Sequence, residues 1–150
     1  MNDSREQVGQ LSVMLELPQH LRIQVESAFL TVASHRSVAA GDILFTQDDT
    51  NPDEGCVLLS GGVEVVSRGG FSTIVEAPAL LGEMRQFHID QSPGRTANVR
   101  ALDNLSVLRF DWPAFYEALA RLASKDDLQV VRAALQRQAW LHYLENVDEL

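Results

Sequence analysis

Residues 56–66 read Cys56-Val57-Leu58-Leu59-Ser60-Gly61-Gly62-Val63-Glu64-Val65-Val66. Two aliphatic runs flank a glycine pair, and Val63-Glu64-Val65 alternates as a half-buried strand does. The same rhythm extends in both directions. Upstream, Ile43-Leu44-Phe45 lies between the turn signal Ala40-Gly41-Asp42 and the polar stretch from Asp48 to Gly55. Downstream come STIV at 72–75 after Arg68-Gly69-Gly70, ANVRA at 97–101 after Pro93-Gly94, and SVLRF at 106–110 after Asp103-Asn104. Roughly eight short strands at this spacing, between about 31 and 110, predict a mainly β fold of the jelly-roll barrel type.

Helical patterns flank this region. Over about 4–30, Val8, Leu11, Met14 and Leu15 recur at helical spacing, and Leu21, Val25, Ala28 and Phe29 form a second stripe. Pro18 suits the first turn of that second helix, where its missing N–H is not needed. A C-terminal helix pair is expected over about 111–146. Asp111 is placed as an N-cap with Pro113 in the first turn, and Phe115, Leu119 and Leu122 form one face. Ser124-Lys125-Asp126-Asp127 resembles a capping box. Leu128, Val131, Leu135 and Ala139 form the last stripe, which Trp140, Leu144 and Val147 continue with a shift. These elements are read as one domain over 1–150.

Composition narrows the function. The chain has 150 residues and a net charge of −9, from 12 basic and 21 acidic side chains. Such a surface repels phosphate backbones, so wholesale nucleic-acid binding is not expected. Cys56 is the lone cysteine, which excludes an intramolecular disulfide or a multi-Cys metal site. The polar start MNDSREQVGQ precedes no long apolar run, so neither signal peptide nor membrane helix is expected and a cytoplasmic location is the default. The histidines His20, His35, His88 and His142 include no His-x-His pair, and no metal enzyme is expected. No nucleophile–base arrangement can be argued from spacing either, and the chain is read as non-catalytic. Asp48, Asp49, Asp53 and Glu54 read as a solvated acidic loop, Arg100 and Arg109 as outward-facing strand residues.

The chemistry concentrates in Leu80-Leu81-Gly82-Glu83-Met84-Arg85-Gln86-Phe87, a polar stretch, and then Pro93-Gly94-Arg95-Thr96-Ala97-Asn98-Val99-Arg100-Ala101. Here the chain resembles the cyclic nucleotide-binding domain family. Gly82-Glu83 and Arg95-Thr96-Ala97 match the family's phosphate-binding cassette. Gly41-Asp42-Ile43-Leu44-Phe45 and Leu58-Leu59-Ser60-Gly61-Gly62-Val63-Glu64-Val65 match two further stretches. The resemblance covers roughly residues 17–140.

That resemblance implies a ligand site made of Gly82, Glu83, Met84, Arg85, Arg95, Thr96 and Ala97. Glycine ahead of a short helix lets the backbone approach a cyclic phosphate. Arg95 would supply a charge-assisted pair of donors, Glu83 would accept from a ribose 2′-hydroxyl, and Thr96 would add a hydroxyl contact. cAMP or cGMP is the implied ligand, with no further cofactor. Arg85 departs from the family pattern, which has a small residue there, and the segment before Arg95 is about two residues longer than in bacterial activator relatives. The Arg85 guanidinium either occupies the phosphate position and blocks it, or gives a second positive fork suited to a cyclic dinucleotide. The expected function is sensing: occupancy moves the C-terminal helix, and a partner protein reads it. The alternative is an interaction module with a degenerate pocket. With no helix-turn-helix after the last helix, direct DNA binding is not expected, and a homodimer through the last helix is.

Overall fold

The computed structural model describes residues 3–45, 53–67, 72–82 and 97–147. Three helical segments lead: α1 (Asp3–Gly9), a 3-10 turn (Ser12–Glu16) and α2 (Gln19–Val32). Eight strands follow: β1 (Ser34–Val38), β2 (Ile43–Phe45), β3 (Glu54–Ser60), β4 (Gly62–Ser67), β5 (Ser72–Glu76), β6 (Ala79–Leu81), β7 (Ala97–Ala101) and β8 (Leu105–Asp111). The chain then forms α3 (Trp112–Ala120) and α4 (Lys125–Val147). All pairings are antiparallel, in two four-stranded sheets ordered β1-β8-β3-β6 and β2-β7-β4-β5. The jelly roll with flanking helices is therefore present. Among the described residues no ladder joins the sheets, so they form an open sandwich rather than a closed barrel. The edge strands β2 and β6 run only three residues each.

The connections sort by length. At one end the chain crosses between sheets four times, through residues 39–42, 61, 77–78 and 102–104. These turns interlock. The Gly41 N–H donates to the Ala101 carbonyl at 2.8 Å, the Ala101 N–H to Asp42 at 2.8 Å, the Ala77 N–H to Gly61 at 3.1 Å and the Leu102 N–H to Gly62 at 2.9 Å. Asn104 Oδ1 accepts from Ala40 N–H and Asp103 Oδ2 from Gly62 N–H, both at 3.1 Å. Gly61 makes its crossing in a single residue at φ +90, in the region only glycine enters without strain. At the opposite end the crossings take residues 46–53 and 82–96.

Two cores flank the β1-β8-β3-β6 sheet. Odd positions of β3 and even positions of β8 face the helices: Val57, Leu59, Leu108 and Phe110 pack with Val8, Leu21, Val25, Phe29, Phe115 and Leu119. Phe29 stacks on Phe115 with centroids 4.3 Å apart, and Trp112 meets Phe110 edge-on at 4.8 Å. The other face meets the second sheet: Cys56, Leu58, Leu105 and Val107 pack against Phe45, Val63, Val99 and Ala101.

The helices differ in detail from the sequence reading. The segment over 4–30 is broken, because Leu11 and Leu17 leave helical geometry on either side of the 3-10 turn. Pro18 sits at the N-cap of α2, just outside its first turn. Leu15, expected in the buried stripe, is 73% exposed, because the turn after Gly9 shifts its phase. Leu122 is 48% exposed, because α3 ends at Ala120. Asp111 occupies the N-cap of α3 without a side-chain capping bond, whereas the Ser124 hydroxyl does accept the Asp127 N–H at 3.1 Å. Of the last stripe, Val131, Leu135 and Ala139 are buried, the first two in the helix-side core. The side chains from Trp140 onward, Tyr143, Leu144 and Val147 among them, lie outside the described part of α4.

Candidate functional site

The cassette bridges the sheets at the end away from the interlocked turns. It leaves from β6, where Leu81 pairs with Cys56, and returns in β7, where Ala97 pairs with Ser67. Gly82 and Ala97 mark its two ends among the described residues; Glu83, Met84, Arg85, Arg95 and Thr96 lie outside them, as do Asp48, Asp49 and His88. Gly82 has φ +84, so the backbone turns there in a conformation that disfavours any side chain. Its carbonyl accepts the Trp112 indole N–H at 3.2 Å. Trp112 is 1% exposed, and a buried indole N–H requires an acceptor. Its backbone N–H also donates to Asp53 at 2.7 Å. The start of the cassette is thereby tied to the first residue of α3.

The inner wall changes character along its length. Toward the interlocked turns it is apolar: Val63, Ala101, Leu105 and Val107. Toward the cassette it becomes charged. Strand alternation puts Glu54 on the face of Cys56 and Leu58, and Arg109 on the face of Leu105 and Val107. The Arg109 guanidinium pairs with Glu54 and lies 5.5 Å from the centroid of the Phe45 ring, across the gap between the sheets. This corrects the expectation that Arg109 faces outward. It also corrects the expectation of a solvated acidic loop for Glu54, which lies in β3 and is ion-paired. β8 is apolar on both faces, so its sequence holds no polarity contrast from which to assign Arg109 a side. Arg100 does face outward, paired with Glu64 at 2.9 Å.

Charge pairs elsewhere bind α4 to the N-terminal helices. Glu16 accepts from Arg137 Nε at 2.9 Å and Gln138 Nε2 at 2.6 Å, and Asp127 pairs with His20 at 3.2 Å. Burial raises the Glu16 pKa, but the donors from Gln138 and Arg137 outweigh it and hold the carboxyl below its ordinary value. Burial pushes the Tyr116 phenol well above its usual range, against the opposing charge of Arg132. Among the described residues no three His, Cys, Asp or Glu side chains are grouped to hold a metal ion, and no helix is long and apolar enough to cross a membrane.

Solved structures share this architecture. A Ruegeria pomeroyi DSS-3 protein assigned provisionally to cyclic nucleotide binding superposes with a TM-score of 0.67 at 18% identity, over 99% of this chain and 63% of that one. The sensor domain of the transcriptional regulator DNR from Pseudomonas aeruginosa gives 0.65 at 15%, over 92% and 91%. The c-di-GMP responsive global regulator CLP of Xanthomonas campestris gives 0.63 at 14%, over 84% and 61%. The chain thus spans under two thirds of the Ruegeria and Xanthomonas proteins, and at these identities the likeness is one of fold. No curated protein matches the sequence. The family model described as the cyclic nucleotide-binding domain matches residues 35–122, a span that runs from β1 through the cassette to just past the end of α3. The two-sheet jelly roll, the glycine turn at Gly82 and that match agree: this chain belongs to the cyclic nucleotide-binding domain family.

Proposed function

We propose that this chain is a non-catalytic sensor that binds a cyclic nucleotide in the cassette from Gly82 to Ala97 and signals to a partner protein through its C-terminal helices. The observation that carries the reading is the family match across residues 35–122, which includes the whole cassette. In this reading Gly82 lets the backbone approach the phosphate. Arg95 pairs with the phosphate through two N–H donors, Thr96 adds a hydroxyl, and Glu83 accepts from the ribose. Met84, Arg85 and Ala97 complete the lining. The 2.7 and 3.2 Å hydrogen bonds of Trp112 to Asp53 and Gly82 support the output, because movement at Gly82 is felt at the start of α3. A ligand shifts the helices only if it binds one of their positions better than the other.

Thermal unfolding with cAMP and cGMP tests binding. Either ligand at 100 times its dissociation constant is expected to stabilise the chain by about 2.7 kcal/mol. Arg95→Ala is expected to weaken that ligand by about 1.5–3 kcal/mol, roughly tenfold to a hundredfold in a calorimetric titration, with the fold intact. Unchanged affinity would remove Arg95 from the site. No shift with any cyclic mono- or dinucleotide would leave the second reading, an interaction module without a ligand.

A further inference from the structure

We infer that Arg109 is a specificity-determining residue of this pocket and selects a guanine base over an adenine base. The inference rests on the cyclic nucleotide reading above and adds to it the identity of the base.

Three observations place Arg109. It lies on the inner face of β8, between the sheets, where its strand neighbours Leu105 and Val107 are apolar. It sits on one row across the sheet with Cys56 and Leu81, the residue that precedes Gly82. Two strand spacings separate Arg109 from Leu81, about 10 Å. Arg109 is also held from two sides, by the Glu54 carboxylate in its own sheet and by the Phe45 ring 5.5 Å away in the other.

The chemistry then selects the base. A guanidinium carries five N–H donors in a planar fork and no acceptor. Glu54 takes one part of that fork and orients its plane, while the side chain keeps 32% of its surface exposed. Guanine offers two adjacent acceptors, O6 and N7, which a fork meets with two parallel bonds. Adenine offers N7 beside an amino donor at position 6, and this sets donor against donor. An arginine fixed in orientation pays little ordering entropy when the base arrives, so the discrimination is not diluted. Cyclic mono- and dinucleotides can both carry the guanine, and the test separates them.

The full chain is titrated calorimetrically with cGMP, cAMP, cyclic di-GMP and cyclic di-AMP. The expected result is a guanine nucleotide bound at least about tenfold tighter than its adenine counterpart, the scale of a bidentate pair. Arg109→Leu is expected to bring that ratio to within about twofold of unity. Arg109→Lys keeps the charge and loses the fork, so it carries the same test if Arg109→Leu fails to fold; the ratio is expected to collapse with the melting temperature held. A guanine preference in either ring size that falls in Arg109→Lys supports the assignment, and the ring size names the ligand. Equal binding of adenine and guanine by the unaltered chain, or a preference that survives in Arg109→Lys, overturns the role of Arg109 and leaves the cassette reading standing. Binding of none of the four overturns both.

Discussion

Where β3 passes into β4 the chain changes sheets in one residue, Gly61, while 82–96 make the corresponding crossing from β6 to β7 at the other end. The first end is bonded turn to turn, through Gly41–Ala101, Asp42–Ala101 and Gly62–Leu102, over an apolar wall. The second carries the inner-face ion pair of Arg109 and Glu54. Interlocking backbone hydrogen bonds are thus concentrated at the turn end. The opposite end places a paired Arg and Glu between its sheets, where the turn end is apolar.

The contrast can be broken by mutation, and the largest effect belongs to the apolar wall. Leu58 is fully buried between the sheets, and Leu58→Ala is expected to cost about 2–5 kcal/mol, read from the urea midpoint. Gly61→Ala comes next. An added Cβ would lie 2.6 Å from Leu105 Cδ2 and 3.0 Å from the Asn104 carbonyl, at a φ of +90. About 1–3 kcal/mol is expected. A cost near zero would mean that the turn end is not the rigid one.

At the cassette end the comparison predicts a smaller loss. Trp112→Phe removes the N–H that Gly82 accepts, for about 1–2 kcal/mol. Its distinguishing result is faster hydrogen exchange in the segment after Gly82, with the turn end unchanged. Equal acceleration at both ends would mean that Trp112 acts through the aromatic cluster alone.

Much of this arrangement was legible in the sequence, and the failures have physical causes. Six of the strands announce themselves as apolar runs. β1 does not, because Ser34-His35-Arg36-Ser37-Val38 is an edge strand with mostly exposed side chains. β6 is three residues long and follows Pro78, so no period can develop. All seven residues that the family resemblance assigned to the ligand follow one another, from Gly82 to Arg85 and from Arg95 to Ala97, and their order was readable without coordinates. The inward face of Arg109 was not, because it depends on which side of a two-faced strand the neighbouring sheet lies. The indole bond to Gly82 joins residues 30 apart, and no spacing rule connects them.

The smallest effect sits away from both ends, where the 3-10 turn meets α4. Glu16 is held below its ordinary pKa in the folded chain by Gln138 and Arg137, against the raising effect of burial. The folded state therefore binds fewer protons there than the unfolded chain. The pair stabilises fully above the ordinary value of 4.5, and that contribution is lost as pH falls through the lower folded value. Glu16→Gln is expected to cost less than about 1 kcal/mol at neutral pH and nothing at low pH. A difference that grows on acidification would reverse the assignment.

Cys56 gives the sandwich a built-in clock. It is the one thiol in the chain, it has no exposed surface, and it stands between Arg109 and Leu81 on the inner wall. A thiol reagent can reach it only when the two sheets part. At low reagent concentration the labelling rate follows the equilibrium population of the parted state, and at high concentration it approaches the parting rate itself. Occupancy of the space between the sheets would slow the first regime in proportion to its binding factor. Labelling kinetics on the unmodified chain thus measure how often, and how fast, the space between the sheets opens.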